Sequence, residues 1–158
     1  MKTATVRELK QELTHKTDIE LVELCLRLSK FKKENKELLT YLLYEADNEE
    51  EYIINVKGNI DQEFSEINTS SYYFIKKSVR KVLRNTKKYI RYSKKKETEV
   101  ELLLYFCEVL KQMKPSYKRN TVLINLLDRQ ISIVKKKVSA MHEDLQYDYE
   151  REIEKIED

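Results

Sequence analysis

The sequence predicts an all-α fold, and three observations carry that prediction. Its 158 residues include one glycine, Gly58, and one proline, Pro115. A sheet-rich domain of this size needs more turn glycines than that. Charged residues make up 37% of the chain and hydrophobic residues still make up 41%. The apolar residues recur three and four apart, the rhythm of a helix with one buried side. That clustering argues against disorder despite a mean hydropathy of −0.70. The expected architecture is a single domain over residues 1–158 with six to seven antiparallel helices. These form an irregular bundle or a short helical-hairpin (HEAT-like) stack, with residues 140–158 as a helical extension or frayed tail.

The elements follow in order. Roughly Thr5–His15 puts Val6, Leu9 and Leu13 on one side of a short helix. Thr17 or Asp18 caps the next, DIELVELCLRLSKF, and Glu20 stands where a capping box needs it. Ile19, Leu21, Val22, Leu24, Cys25, Leu26 and Leu28 surround much of this helix, so it is expected at the centre of the fold. Phe31–Lys36 reads as a turn and Glu37–Ala46 as a third helix. Asp47 or Asn48 caps an acidic fourth, whose three glutamates suit the positive end of the helix dipole. Tyr52, Ile53, Val56, Ile60, Phe64 and Ile67 keep helical spacing through Gly58, which is expected to mark a bend or a close approach. Asn68–Ser71 is a turn. Thr98 caps a second central helix, Val100–Leu110 with its flanks, and Pro115 ends it. From Tyr117 to Ile156 the chain reads as one long helix, or as two with a break near Ser139.

Ser70–Lys96 is the strongest single feature, with eleven basic residues and no acid. Wound as a helix capped by Ser70 or Ser71, it separates cleanly. Tyr72, Ile75, Val79, Val82, Leu83, Thr86 and Ile90 share one side. Tyr73, Lys77, Arg80, Arg84, Lys87, Lys88 and Arg91 mark the other, the candidate binding face. Such a face fits nucleic acid, with Tyr73 placed to stack on a base. It also fits an ordinary solvated surface.

Net charge is +3, but it alternates along the chain. Residues 45–68 hold one base and eight acids, residues 97–113 one base and four acids, residues 114–137 seven bases and one acid, and residues 138–158 two bases and eight acids. Consecutive helices usually pack together. Each basic helix is therefore expected between acidic ones, neutralised within the fold.

IELVELC (Ile19–Cys25) can be laid over VELLLYF (Val100–Phe106), and LLTYLLY (Leu38–Tyr44) over VLINLLD (Val122–Asp128). This faint echo is what a stack of helical hairpins produces. The stretch DIELVELCLRLSKFKKENKELLTYLLYEADNEEEYI, with TEVELLLYFC later, resembles a family of small all-helical bacterial proteins of unknown function. The resemblance implies the helical fold and no catalytic motif.

The pattern disfavours most chemistries. Phosphate-binding loops need several glycines. Cys25, Cys107, His15 and His142 are scattered rather than spaced for zinc, and the single Glu12–His15 pair lacks the second copy of a di-iron bundle. No metal, cofactor or small-molecule substrate is expected, and the protein reads as no enzyme. Both cysteines lie in apolar patterns and are expected as buried reduced thiols of a cytoplasmic protein. The N-terminal MKTATVRELK leads into no apolar signal segment, and the longest apolar run, Leu102–Cys107, is far short of a membrane span. The expected role is a protein-interaction or scaffold module, with a protein partner or self-association. The alternative is nucleic-acid binding through the basic helix, at Tyr73, Lys77, Arg80, Arg84, Lys87, Lys88 and Arg91.

Overall fold

Five of the eight helices begin at a capping side chain, and the helix expected to start at Thr98 starts instead at Lys96 with no side-chain cap. A computed structural model describes residues 1–158 and contains only helices and the turns between them. There are eight α-helices, not six or seven: the three expected in the N-terminal third are present, and the stretch after Tyr117 forms two rather than one. Residues Met1–Tyr44 and Glu45–Asp158 form two compact units.

The first unit holds α1 (Val6–Thr14), α2 (Asp18–Phe31) and α3 (Lys33–Thr40), which runs into a π-helical turn at Tyr41–Glu45. Thr5 with Glu8, and Thr17 with Glu20, form capping boxes that satisfy backbone donors at the starts of α1 and α2. A single extended residue, Lys32, separates α2 from α3. The amide of Asn35 donates to the Leu28 carbonyl at 2.8 Å, capping α2 from outside. The turn expected over Phe31–Lys36 is thus shorter than its polar composition suggested.

The second unit holds α4 (Glu49–Ser65), α5 (Tyr72–Ser93), α6 (Lys96–Gln112), α7 (Thr121–Ser139) and α8 (Glu143–Glu157). Asn48 caps α4, Asn120 caps α7, and the imidazole of His142 accepts from the Asp144 N–H to cap α8. The stretch after Tyr117 is therefore two helices, broken at Ala140–His142. Contacts fix the directions. Tyr52 Oη near the start of α4 donates to the Tyr89 carbonyl near the end of α5 at 2.7 Å, so these two run antiparallel. Lys57 pairs with Glu101 at 3.7 Å, and Tyr105 Oη donates to the Asp61 carboxylate at 2.7 Å, so α4 and α6 run parallel. That carboxylate and partial burial push the Tyr105 phenol up to about 12, with burial the larger cause. Lys137 late in α7 meets Glu99 early in α6 at 3.3 Å, an antiparallel pair. Lys111 late in α6 donates to the carbonyl of Ile156 late in α8, a parallel pair.

α6 is the axis of this unit and packs on α4, α5, α7 and α8. Val100, Leu102, Leu103, Phe106, Cys107 and Leu110 are buried on several of its sides, as the all-round apolar pattern requires. Gly58 lies exposed in the middle of α4, and a Cβ built there meets nothing within 4 Å. It therefore marks no close approach. Gly58→Ala is expected to raise the unfolding free energy by about 1 kcal/mol, by removing backbone freedom from the unfolded chain. A urea titration of the two proteins checks this, and an unchanged or lowered midpoint contradicts it.

Candidate functional site

Two surfaces stand out, one basic and one apolar. The basic one is built by α5. Its inner side is the one the spacing defined: Ile75, Val79, Val82, Leu83, Thr86 and Ile90 are all buried, and Tyr72 Oη donates to the Ser116 carbonyl at 2.8 Å. Ser71 stands at the N-cap position, but its side chain makes no capping bond, and the Ser70 hydroxyl turns back to Asn68 instead. At the far end Lys94 adopts the left-handed conformation, with φ of 60°, and closes the helix by donating to the Ile90 carbonyl.

On the outer side Tyr73, Lys77, Arg80, Arg84 and Arg91 are exposed, while Lys87 and Lys88 are half-buried. The Lys88 ammonium lies 5.1 Å from the centre of the Tyr89 ring, and Tyr73 meets Phe74 edge-on at 5.2 Å. The expected neutralisation by flanking acidic helices does not occur along the arginine row. Two carboxylates of α4 meet α5 at polar, uncharged positions: Glu63 accepts from Asn85, and Glu49 accepts from Ser93. The ion pairs of this unit, such as Lys57–Glu101, Lys95–Glu49 and Lys137–Glu99, leave Lys77, Arg80, Arg84 and Arg91 without a carboxylate partner. The reason is geometric: α5 packs its apolar side against α4 and α6, so the arginine row on the opposite side faces solvent.

That arrangement brings α7 to the basic face. A cleft of about 380 Å³ is lined by Arg80, Leu83 and Lys87 of α5 with Asn125, Arg129 and Gln130 of α7. The sequence reading missed Arg129 and Gln130. The excess of bases over residues 114–137 was the signal for the first, and nothing in the spacing marked the second. Gln130 is buried, and its Oε1 has no hydrogen-bond donor.

The apolar surface is the larger departure from expectation. Of the eighteen large apolar side chains that stand exposed, fourteen belong to Met1–Tyr44. α2, expected at the centre, buries only Ser29. Ile19, Leu28 and Phe31 are 74%, 63% and 79% exposed, and Val22, Leu24 and Leu26 are exposed with them. Tyr41 is the only buried apolar side chain in the first unit. Cys25 is exposed as well, against the expectation of two buried thiols. Cys107 is buried, and burial pushes its thiol up to about 12.

No three His, Cys, Asp or Glu side chains are grouped to hold a metal ion, and no helix is long and apolar enough to cross a membrane. Comparison with protein-family models, with curated proteins and with solved structures finds no match to the chain.

Proposed function

We propose that the protein is a non-catalytic interaction module of the cytoplasm, taking no cofactor or small-molecule substrate, that binds a protein partner through α2. The observation that carries this reading is the exposure of Ile19, Val22, Leu24, Leu26, Leu28 and Phe31 on one helix. Exposed apolar area on this scale is the mark of an interaction surface, because water disfavours it at about 25 cal/mol per Å². A helix apolar on most of its circumference belongs inside an assembly. Within the second unit, the parallel relation of α4 with α6 and of α6 with α8 supports a helical-hairpin stack. The two thiols supply the test. In dilute, monomeric protein Cys25 is expected to react with a maleimide at the rate of a free thiol, while Cys107 reacts only on unfolding. If Cys25 is as slow as Cys107, the α2 surface is closed within the chain and the reading fails.

A second reading rests on a separate observation, the unpaired row of Lys77, Arg80, Arg84 and Arg91. It takes this face, widened by Arg129, to bind the phosphates of a nucleic acid. Binding to short duplexes and single strands is expected to fall steeply with salt. It is also expected to weaken at least about a hundredfold when Arg80, Arg84 and Arg91 become glutamate in a protein that keeps its helicity. Absence of binding at about 50 mM salt sinks this reading.

A further inference from the structure

The charges of α2 identify what covers it. Asp18, Glu20 and Glu23 precede Cys25 by seven, five and two residues. Lys32, Lys30 and Arg27 follow it by seven, five and two. The helix and its C-cap residue thus carry an acid for every base at mirrored positions about Cys25. The exposed apolar residues mirror as well: Ile19 with Phe31, Val22 with Leu28, and Leu24 with Leu26.

A heterologous partner requires no such mirror. A second copy of the same helix, running the opposite way, does. Two antiparallel copies of α2 related by a two-fold axis at the level of Cys25 set the acidic half of each helix beside the basic half of the other, with Asp18 and Lys32, on the same side of the helix as Cys25, meeting across the axis and Val22 and Leu28 flanking them. Parallel copies set acid against acid and base against base. Self-complementarity of this kind is what a two-fold interface demands, since the same patch must serve on both sides. Residues 1–44 carry nine bases and seven acids, so two copies meet with little net repulsion. Self-association also fits the energetics of the unit. It has one buried apolar side chain, its cysteine is free, and no side chains are grouped for a metal. A helical unit of this size with so little core usually relies on association.

We propose that the partner of α2 is a second copy of this chain, and that the two pack α2 on α2, antiparallel, about a two-fold axis at Cys25. This rests on the reading of α2 as a binding surface and names its occupant.

Charge reversal tests it on the full chain. Asp18→Lys/Glu23→Lys leaves Glu20 as the one acid among the mirrored positions, and Arg27→Glu/Lys32→Glu leaves Lys30 as the one base. Both variants leave the Thr17–Glu20 capping box intact, and far-ultraviolet circular dichroism checks their helicity. By sedimentation velocity the native protein is expected to be a dimer at high micromolar concentration. Each variant alone is expected to dimerise at least about a hundredfold more weakly. An equal mixture of the two is expected to form a heterodimer, and the chain carrying all four substitutions is expected to dimerise again. Variants that dimerise as tightly as the native protein overturn the antiparallel pairing, as does a mixture that stays monomeric. A native monomer whose Cys25 labels rapidly overturns the second copy and leaves the surface open to a different protein. A native monomer whose Cys25 is protected overturns this inference together with the interaction reading beneath it.

Discussion

Phe106→Ala is expected to lower the unfolding free energy of the second unit by about 3–5 kcal/mol. Phe106 is 0% exposed, at the middle of α6, and its ring centre lies 5.6 Å from that of Phe64 on α4. Truncation removes that contact and opens a cavity where α4 and α6 run side by side. The surrounding helices can relax only in part, which adds a cavity term to the lost transfer free energy. Phe106→Leu keeps most of the volume and is expected to cost about 1–2 kcal/mol. Guanidinium titrations of the three proteins measure both differences. Equal costs for the alanine and leucine variants contradict the cavity account, since restoring most of the volume then recovers nothing.

Glu49→Ala is expected to cost about 2–3 kcal/mol, large for a half-buried polar residue. Glu49 opens α4, and its carboxylate gathers groups from two other elements. It accepts from the Thr98 hydroxyl at 2.6 Å and from the Ser93 hydroxyl, and lies 3.5 Å from the Lys95 ammonium. It therefore ties the start of α4 to the end of α5 and the start of α6. Thr98 is 1% exposed, so removing the carboxylate leaves a buried hydroxyl with its main acceptor gone. Glu49→Ala/Thr98→Val deletes both partners and is expected to recover about 1 kcal/mol of the loss. Thermal unfolding of the single and double variants measures the coupling. A cost for Glu49→Ala below about 0.5 kcal/mol is that of an exposed pair and rejects the carboxylate as a three-element clamp.

Much of the second unit was legible in the sequence because its helices obey one rule. In α5 the spacing of Ile75, Val79, Val82, Leu83, Thr86 and Ile90 identified the buried side, and all six are buried. In α6 the all-round apolar pattern identified the central helix. The same rule failed for α2. Its pattern resembles that of α6, yet it stands exposed, because periodicity reports which residues avoid water and not which molecule shields them. The mirrored charges about Cys25 were present in the sequence throughout. They acquired meaning only once the apolar residues between them proved to be uncovered within the chain.

The candidate basic face divides in the same way. Tyr73, Lys77, Arg80, Arg84, Lys87, Lys88 and Arg91 share the outer side of α5, which helical spacing alone can give because all seven lie on one element. Whether acidic helices would cancel them depends on helix directions and on which side each helix turns toward its neighbours, and block charges carry neither. The contributions of Arg129 and Gln130 depend on α7 lying beside α5, more than forty residues along the chain for most of the pairs involved.

By itself, then, the sequence determined that the chain is helical, where α1, α2, α4 and α5 start, and which side of α5 is apolar and which is basic. Those properties are local: caps, glycine scarcity and a 3.6-residue period act within a turn or two of helix. Only the tertiary structure decided that α6 is buried and α2 is not, that the arginine row lacks carboxylate partners, and that one thiol is open while the other is closed. Those properties depend on contacts between segments remote in the chain, and equally apolar helices leave such contacts undetermined.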